Sequence, residues 1–121
     1  MQEIFTEITD YADTKANKTQ EDWVAPTLLN SWVNDGGYVL AGYFKDSFGL
    51  VHLKGVIKNG TISATIFTLP VGYRPSNTVL FMTLSNNAVG RISIASSGVV
   101  VLDNGQNQFI SLDGLCFRVG E

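Results

Sequence analysis

Hydrophobic and polar residues alternate over short stretches through most of the chain, and glycine, asparagine and serine separate these stretches. This pattern is typical of antiparallel β-strands joined by tight turns. It predicts eight strands, at residues 38–45, 50–58, 61–69, 78–84, 91–95, 99–102, 108–112 and 115–119. Eight short strands leave unpaired edges unless the sheets close or stack, so we expect an all-β fold, an antiparallel, jelly-roll-like β-sandwich.

Turn signals separate the predicted strands. Asn59-Gly60 favours a two-residue hairpin, because a type I′ turn needs positive φ at both central residues. With Thr61 it also forms a glycosylation sequon, and we favour the turn. Further turns are predicted at residues 46–49, 96–98, 103–105 and 113–114, with a longer connection at 70–75.

The N-terminal segment has a different pattern. Met1, Ile4, Ile8 and Tyr11 follow a spacing of three and four residues, which predicts a short helix with one apolar stripe. This helix is either a small surface element or the end of a longer helical stem. We therefore divide the chain into a helical stem or linker at 1–22 and a β-sandwich head at 23–121.

The predicted strand at 78–84 is apolar on both faces. Val79 and Phe81 point one way, whereas Leu80, Met82 and Leu84 point the other way. The β body offers no helix to cover the second face, so we expect that face to contact another chain. Charged residues make up 16% of the sequence, against about 25% in average soluble domains. Both observations predict an obligate oligomer.

Composition excludes several classes of site. A single cysteine and a single histidine rule out a disulfide framework and the metal sites built from several cysteines or histidines, so we predict no metal and no cofactor. The longest apolar run, at 99–102, is far too short to insert into a membrane. The acidic start of the chain lacks the basic and apolar regions of a secretory leader.

Charge argues against nucleic acid as a partner. Residues 1–22 carry six acidic side chains and two lysines, a net charge of −4, whereas residues 23–121 carry six basic and five acidic side chains. Six scattered cations do not form the clustered basic face that releases counterions from phosphates. We expect no nucleic-acid binding.

Catalysis has few candidate residues. His52 is the only histidine, the nucleophile motif Gly-x-Ser-x-Gly is absent, and Cys116 is expected to be a small buried thiol. A pair of carboxylates for glycoside hydrolysis would come from aspartates that lie beside glycine or serine in predicted turns, namely Asp35, Asp46, Asp103 and Asp113. We predict that the chain is not an enzyme and assign no catalytic residue.

With metal, nucleic-acid and catalytic sites set aside, a surface that binds a ligand without catalysis is the function that remains. Neutral sugars are held by flat aromatic rings together with amide, carboxylate and guanidinium groups. The aromatic candidates are Trp23, Trp32, Tyr38, Tyr43 and Tyr73. Trp32 precedes the loop 34–37 and is expected to be exposed. Asp46, His52 and Arg118 are its predicted polar companions in a saccharide site.

Five segments resemble the C-terminal head domain of tail receptor-binding proteins, or tail fibres, of siphophages that infect Gram-positive bacteria. They are 23–32, 43–46, 51–55, 69–75 and 111–118. The resemblance implies a homotrimeric β-sandwich head on a helical stem, located in the virion at the tail tip or baseplate among other tail proteins. Such a head is made in the host cytoplasm and acts outside the host cell.

The resemblance also implies a ligand, namely cell-wall polysaccharide or the sugar decorations of teichoic acid. No ligand motif of the family transfers to this chain residue by residue. Two alternatives remain open at this stage: a structural tail or baseplate module without a ligand, and a small glycan-degrading enzyme.

Overall fold

The computed structural model describes residues 20–120, and this part of the chain is all-β, with no α-helix. The predicted N-terminal helix lies outside the described residues. None of the residues from 20 to 120 forms a helix that is long and apolar enough to cross a membrane. The strands are β1 (Val33–Asn34), β2 (Gly42–Lys45), β3 (Leu50–Lys54), β4 (Val56–Lys58), β5 (Thr65–Thr68), β6 (Val79–Ser85), β7 (Ala88–Ile94), β8 (Val99–Asn104), β9 (Ile110–Ser111) and β10 (Cys116–Arg118).

The strands form two antiparallel sheets. The larger sheet has the order β1-β4-β9-β6-β7-β8-β5, and the smaller one has the order β10-β3-β2. Inward side chains of both sheets make one core; its largest fully buried members include Trp32, Phe67, Leu53, Ile57, Ile66, Ile92, Leu102 and Leu112. The prediction of an all-β sandwich is confirmed.

Gly55 divides the predicted strand 50–58 into two strands that belong to different sheets. Its φ of +110° is unfavourable for other residues, and a Cβ at this position would lie 2.5 Å from the Cα of Ala41. Asp113 Oδ1 accepts the Gly55 N–H at 2.7 Å and so satisfies the backbone at this corner. The chain therefore leaves the small sheet after β3 and enters the large sheet with β4.

The predicted hairpin at Asn59-Gly60 is wrong. β4 pairs with β1 and β9, whereas β5 pairs with β8, so the strands on either side of this dipeptide are not partners. Asn59 has φ +70°, but Gly60 is placed by packing against the ring of Trp32. A two-residue hairpin occurs instead at Asn86-Asn87, where φ is +49° and +64° and the flanking residues of β6 and β7 pair.

Other predicted turns are confirmed, except the one at 103–105, where β8 continues to Asn104. Turns at 46–49 and 96–98 join β2 to β3 and β7 to β8, as predicted. The predicted strand 61–69 is shorter than expected, because Ala64 N–H donates to the Thr61 carbonyl and Ser63 adopts φ +72°. This turn takes the chain out of extended conformation, so β5 begins only at Thr65.

β6 has two apolar faces, as its sequence predicts. Val79 and Phe81 pack against the core, whereas Leu80, Met82 and Leu84 are 51–72% exposed. On the neighbouring strand Val89 is also exposed, at 63%. We call the exposed set Leu80, Met82, Leu84 and Val89 the apolar face of the large sheet.

Candidate functional site

The outer face of the small sheet brings together most of the predicted site residues. On β3, Val51 and Leu53 point into the core, so His52 between them points outward. On β10, Phe117 points inward, and Arg118 therefore lies on the outer face beside β3. The alternation that was predicted around His52 is confirmed.

Asp46 and His52 form a hydrogen-bonded pair at one end of this face. Asp46 Oδ1 accepts the N–H groups of Phe48 at 2.9 Å and Leu50 at 3.0 Å, and Asp46 Oδ2 lies 2.8 Å from His52 Nε2. Burial by itself raises the pKa of the Asp46 carboxyl, but these hydrogen bonds outweigh burial and lower it below its ordinary value. The ionised carboxylate therefore holds the imidazole in one orientation.

Aromatic rings continue the face from the imidazole. Phe44 stacks on His52 with ring centroids 4.9 Å apart and an interplanar angle of 15°. Trp23 meets Phe44 edge-on at 4.5 Å, and Lys54 Nζ lies 4.7 Å from the centre of a Trp23 ring. Trp23 is 44% exposed. The result is an aromatic cluster on the outer face, with Lys54 over the Trp23 ring and Asp46 beside the imidazole.

Trp23, not the predicted Trp32, lies on this face. It reaches the face because Val24, its neighbour, forms a β-bridge with Tyr43 at the edge of β2. An isolated bridge of this kind leaves no periodic signal in the sequence. In the sequence, Trp23 was only one of five aromatic candidates for the site.

The expected exposure of Trp32 is wrong, because its side chain is only 2% exposed. Asn30 and Ser31 adopt φ +54° and +71°, and Trp32 N–H donates to the Leu29 carbonyl at 3.0 Å. This tight turn directs the indole into the core, where it packs on Gly60. Trp32 is a core residue and does not line the outer face.

Cys116 pairs in register with His52 and is half-buried, not buried as expected. The inward position next to it is occupied by Phe117. Burial raises the pKa of the Cys116 thiol, and the nearby charge of Asp46 raises it further. The thiol is therefore protonated near neutral pH and is a weak nucleophile.

Each of the four aspartates considered for catalysis has hydrogen-bond partners. Asp35 accepts from Gly37 N–H, and Asp113 accepts from Gly55 N–H. Asp103 accepts from Arg91 Nε at 3.1 Å and from the Ser93 hydroxyl at 3.0 Å. The contacts of Asp35, Asp46 and Asp113 agree with the expectation that aspartates in turns bind the backbone, whereas Asp103 lies in β8 and binds the side chains of Arg91 and Ser93. Within residues 20–120, no three histidine, cysteine or acidic side chains are grouped closely enough to hold a metal ion.

A comparison with solved structures finds the same fold in a phage protein. The crystal structure of the receptor binding protein (gp15) of Listeria phage PSA superposes with a TM-score of 0.73, over 99% of this chain and 78% of that one. The two sequences are 22% identical, so the likeness establishes a shared fold. No protein-family model and no curated protein matches the sequence.

Proposed function

We propose that the chain is a receptor-binding module of a phage tail, part of the virion, which attaches the particle to saccharides of a Gram-positive cell wall. The observation that carries this proposal is the fold shared with the receptor binding protein of Listeria phage PSA. The sequence segments that resemble phage tail heads support it independently. In this function the protein binds and performs no chemistry.

The saccharide site is assigned to the outer face of the small sheet. The half-exposed indole of Trp23, which carries Lys54 Nζ over one of its rings, offers apolar contact to a sugar ring. His52, held by Asp46, and Arg118 offer polar groups to the sugar hydroxyls. The ligand is cell-wall polysaccharide or the sugar decoration of teichoic acid.

We further propose that three copies assemble through the apolar face of the large sheet. Leu80, Met82, Leu84 and Val89 present a continuous apolar patch on two adjacent strands, and a monomer would leave this patch in water. A second copy of the chain covers it. A trimer also repeats the saccharide site, so weak individual sites combine into firm attachment through effective concentration.

Sedimentation of the protein with purified Gram-positive cell walls tests the function. We expect the wild-type protein to sediment with the walls and free cell-wall sugars to release it. Walls from which teichoic acid has been extracted distinguish the two ligands, because binding falls only if teichoic acid is the receptor. Trp23→Ala should weaken binding about tenfold or more, since it removes an exposed aromatic contact.

Val71→Ala is the matched control, because Val71 is 82% exposed and takes no part in the ring and hydrogen-bond contacts described for the outer face. It should sediment like the wild type. A folded wild-type protein that ignores cell walls would contradict attachment and favour a structural tail module. Release of reducing sugar from the walls, abolished by Asp35→Asn or Asp113→Asn, would favour the glycan-degrading alternative.

A further inference from the structure

A second concave site lies on the large sheet. It is a cleft of about 440 Å³, and its floor is formed by outward side chains of β4 and β9, Val56 and Ser111. The loop that carries Tyr38 forms one wall, and the turn after β6 forms the other together with Leu84. Leu84 is the one described lining residue that also belongs to the apolar face of the large sheet, so a copy assembled on that face would lie at the border of the cleft. The cleft is distinct from the outer face of the small sheet, since none of its lining residues belongs to that sheet.

Aromatic rings form the apolar part of the cleft. Tyr38 is 60% exposed and Phe109 is 40% exposed, and the rings meet edge-on at 6.2 Å with an interplanar angle of 90°. Phe109 has φ +52°, a conformation that costs about 1 kcal/mol or more for a bulky residue. This conformation turns the Phe109 ring toward Tyr38 and away from the core, in contrast to its buried neighbour Ile110.

Polar groups are fixed at the other side of the same cleft. Asp113 Oδ1 accepts the Gly55 N–H at 2.7 Å, and the Ser111 hydroxyl accepts the Asp113 N–H at 3.2 Å. Asn87 adds an amide from the β6–β7 turn. The backbone contacts hold the carboxylate and the hydroxyl in place before any ligand arrives, which lowers the entropic cost of binding.

The lining also limits the charge of a ligand. Asp113 is the single charged group among the described residues that line the cleft, and no lysine or arginine lies among them. A phosphate or carboxylate would therefore meet an uncompensated negative charge. A neutral sugar ring matches all three features, because it has an apolar face for Tyr38 and hydroxyl groups for Asn87, Ser111 and Asp113.

We propose that this cleft is a binding site for a neutral pyranose sugar, separate from the site on the outer face of the small sheet. Tyr38 and Phe109 contact the apolar face of the ring, and Asp113 accepts hydrogen bonds from its hydroxyls. The proposal does not depend on attachment to cell walls, because the cleft is defined by its own residues.

NMR titration of the ¹⁵N-labelled full chain with single methyl glycosides tests the site. The probes are the methyl glycosides of glucose, galactose, N-acetylglucosamine and rhamnose. At least one should shift the signals of Asn87, Phe109 and Asp113 with a millimolar Kd, the affinity expected for one small ring in a partly open cleft. Tyr38→Ala should weaken that binding about tenfold, and Asp113→Asn should weaken it while keeping an acceptor for Gly55 N–H.

Val71→Ala is the control, because Val71 is 82% exposed and does not line the cleft, and it should bind the glycosides as the wild type does. Absence of any shift with all four glycosides, or unchanged binding by Tyr38→Ala, would overturn the cleft site without affecting wall attachment. Shifts confined to Trp23 and His52 would also overturn it and would instead support the outer face. If tetramethylammonium binds the cleft more tightly than every glycoside does, the proposal of a neutral sugar is overturned in favour of a cationic ligand.

Discussion

The indole ring of Trp32 occupies the space in which a side chain at Gly60 would begin. A Cβ built on Gly60 would lie 1.8 Å from Trp32 Cδ2. The indole is 2% exposed, and its buried Nε1–H has no hydrogen-bond partner among residues 20–120. Packing on Gly60 and the surrounding core, not a polar contact, therefore holds Trp32 in place.

Gly60→Ala should destabilise the fold by about 3 kcal/mol, because the indole must move out of a closely packed core. Urea unfolding followed by tryptophan fluorescence measures the change. Gly37→Ala is the matched control, since a Cβ at Gly37 would have its nearest contact at 3.4 Å, an ordinary distance. Equal stability of the two variants would show that Trp32 does not pack on Gly60 in solution.

The Tyr73 hydroxyl predicts a loss of stability in alkali. It donates to Glu21 Oε1 and Oε2 at 2.8 and 2.7 Å. The hydrogen bond with Glu21, aided by burial, raises the pKa of Tyr73 from 10.0 to about 12. A raised folded-state pKa means that the neutral phenol stabilises the fold fully below pH 10 and that this contribution is lost as the pH rises through 12.

Tyr73→Phe checks this prediction. At pH 8 the variant should be less stable than the wild type by about 1 kcal/mol, because a partly exposed hydrogen bond to a carboxylate is lost. The free-energy difference from urea unfolding should shrink between pH 10 and pH 12. A difference that stays constant over this range would rule out the contact with Glu21 as its source.

The Asp46 carboxylate predicts a loss of stability in acid, the opposite of the pH dependence predicted for Tyr73. Its folded-state pKa is lowered from 3.8, so the carboxylate stabilises the fold above that pH and the contribution is lost as the pH falls through the folded-state value. Asp46→Asn should cost about 1 kcal/mol at pH 7 and almost nothing at a pH well below 3.8. Asp35→Asn serves as the control, because Asp35 has one N–H contact at 3.3 Å. If Asp46→Asn lowers the free energy of unfolding equally at both pH values, the negative charge of Asp46 is not the source of the stabilisation.

Met82→Lys tests assembly through the apolar face. Met82 is 72% exposed at the middle of the face, so a lysine there should leave the subunit folded but oppose contact with another copy. Light scattering should report a trimer for the wild type and for Val71→Lys, and a single chain of about 13 kDa for Met82→Lys. A wild-type protein that is already a single chain at micromolar concentration would refute the assembly.

Local pattern was enough to predict the class of fold and part of the candidate site. Period-two alternation sets which side chains share a face, so it placed His52 opposite Val51 and Leu53. The same rule predicted the exposed apolar side chains of β6. Asp46 was named only as a polar companion for the aromatic rings, without a spacing rule that singled it out, and its contact with His52 is seen only in the structure.

The structure decided features that depend on residues distant in the chain. Trp23 joined the site because an isolated bridge ties Val24 to Tyr43, whereas Trp32 was turned into the core to pack on Gly60. Gly55 divided one predicted strand between two sheets because the Ala41 backbone lies against it. Alternation along the chain fixes which way a side chain points relative to its own strand, but what it meets there depends on which strands pair. That pairing is set by packing over the whole domain.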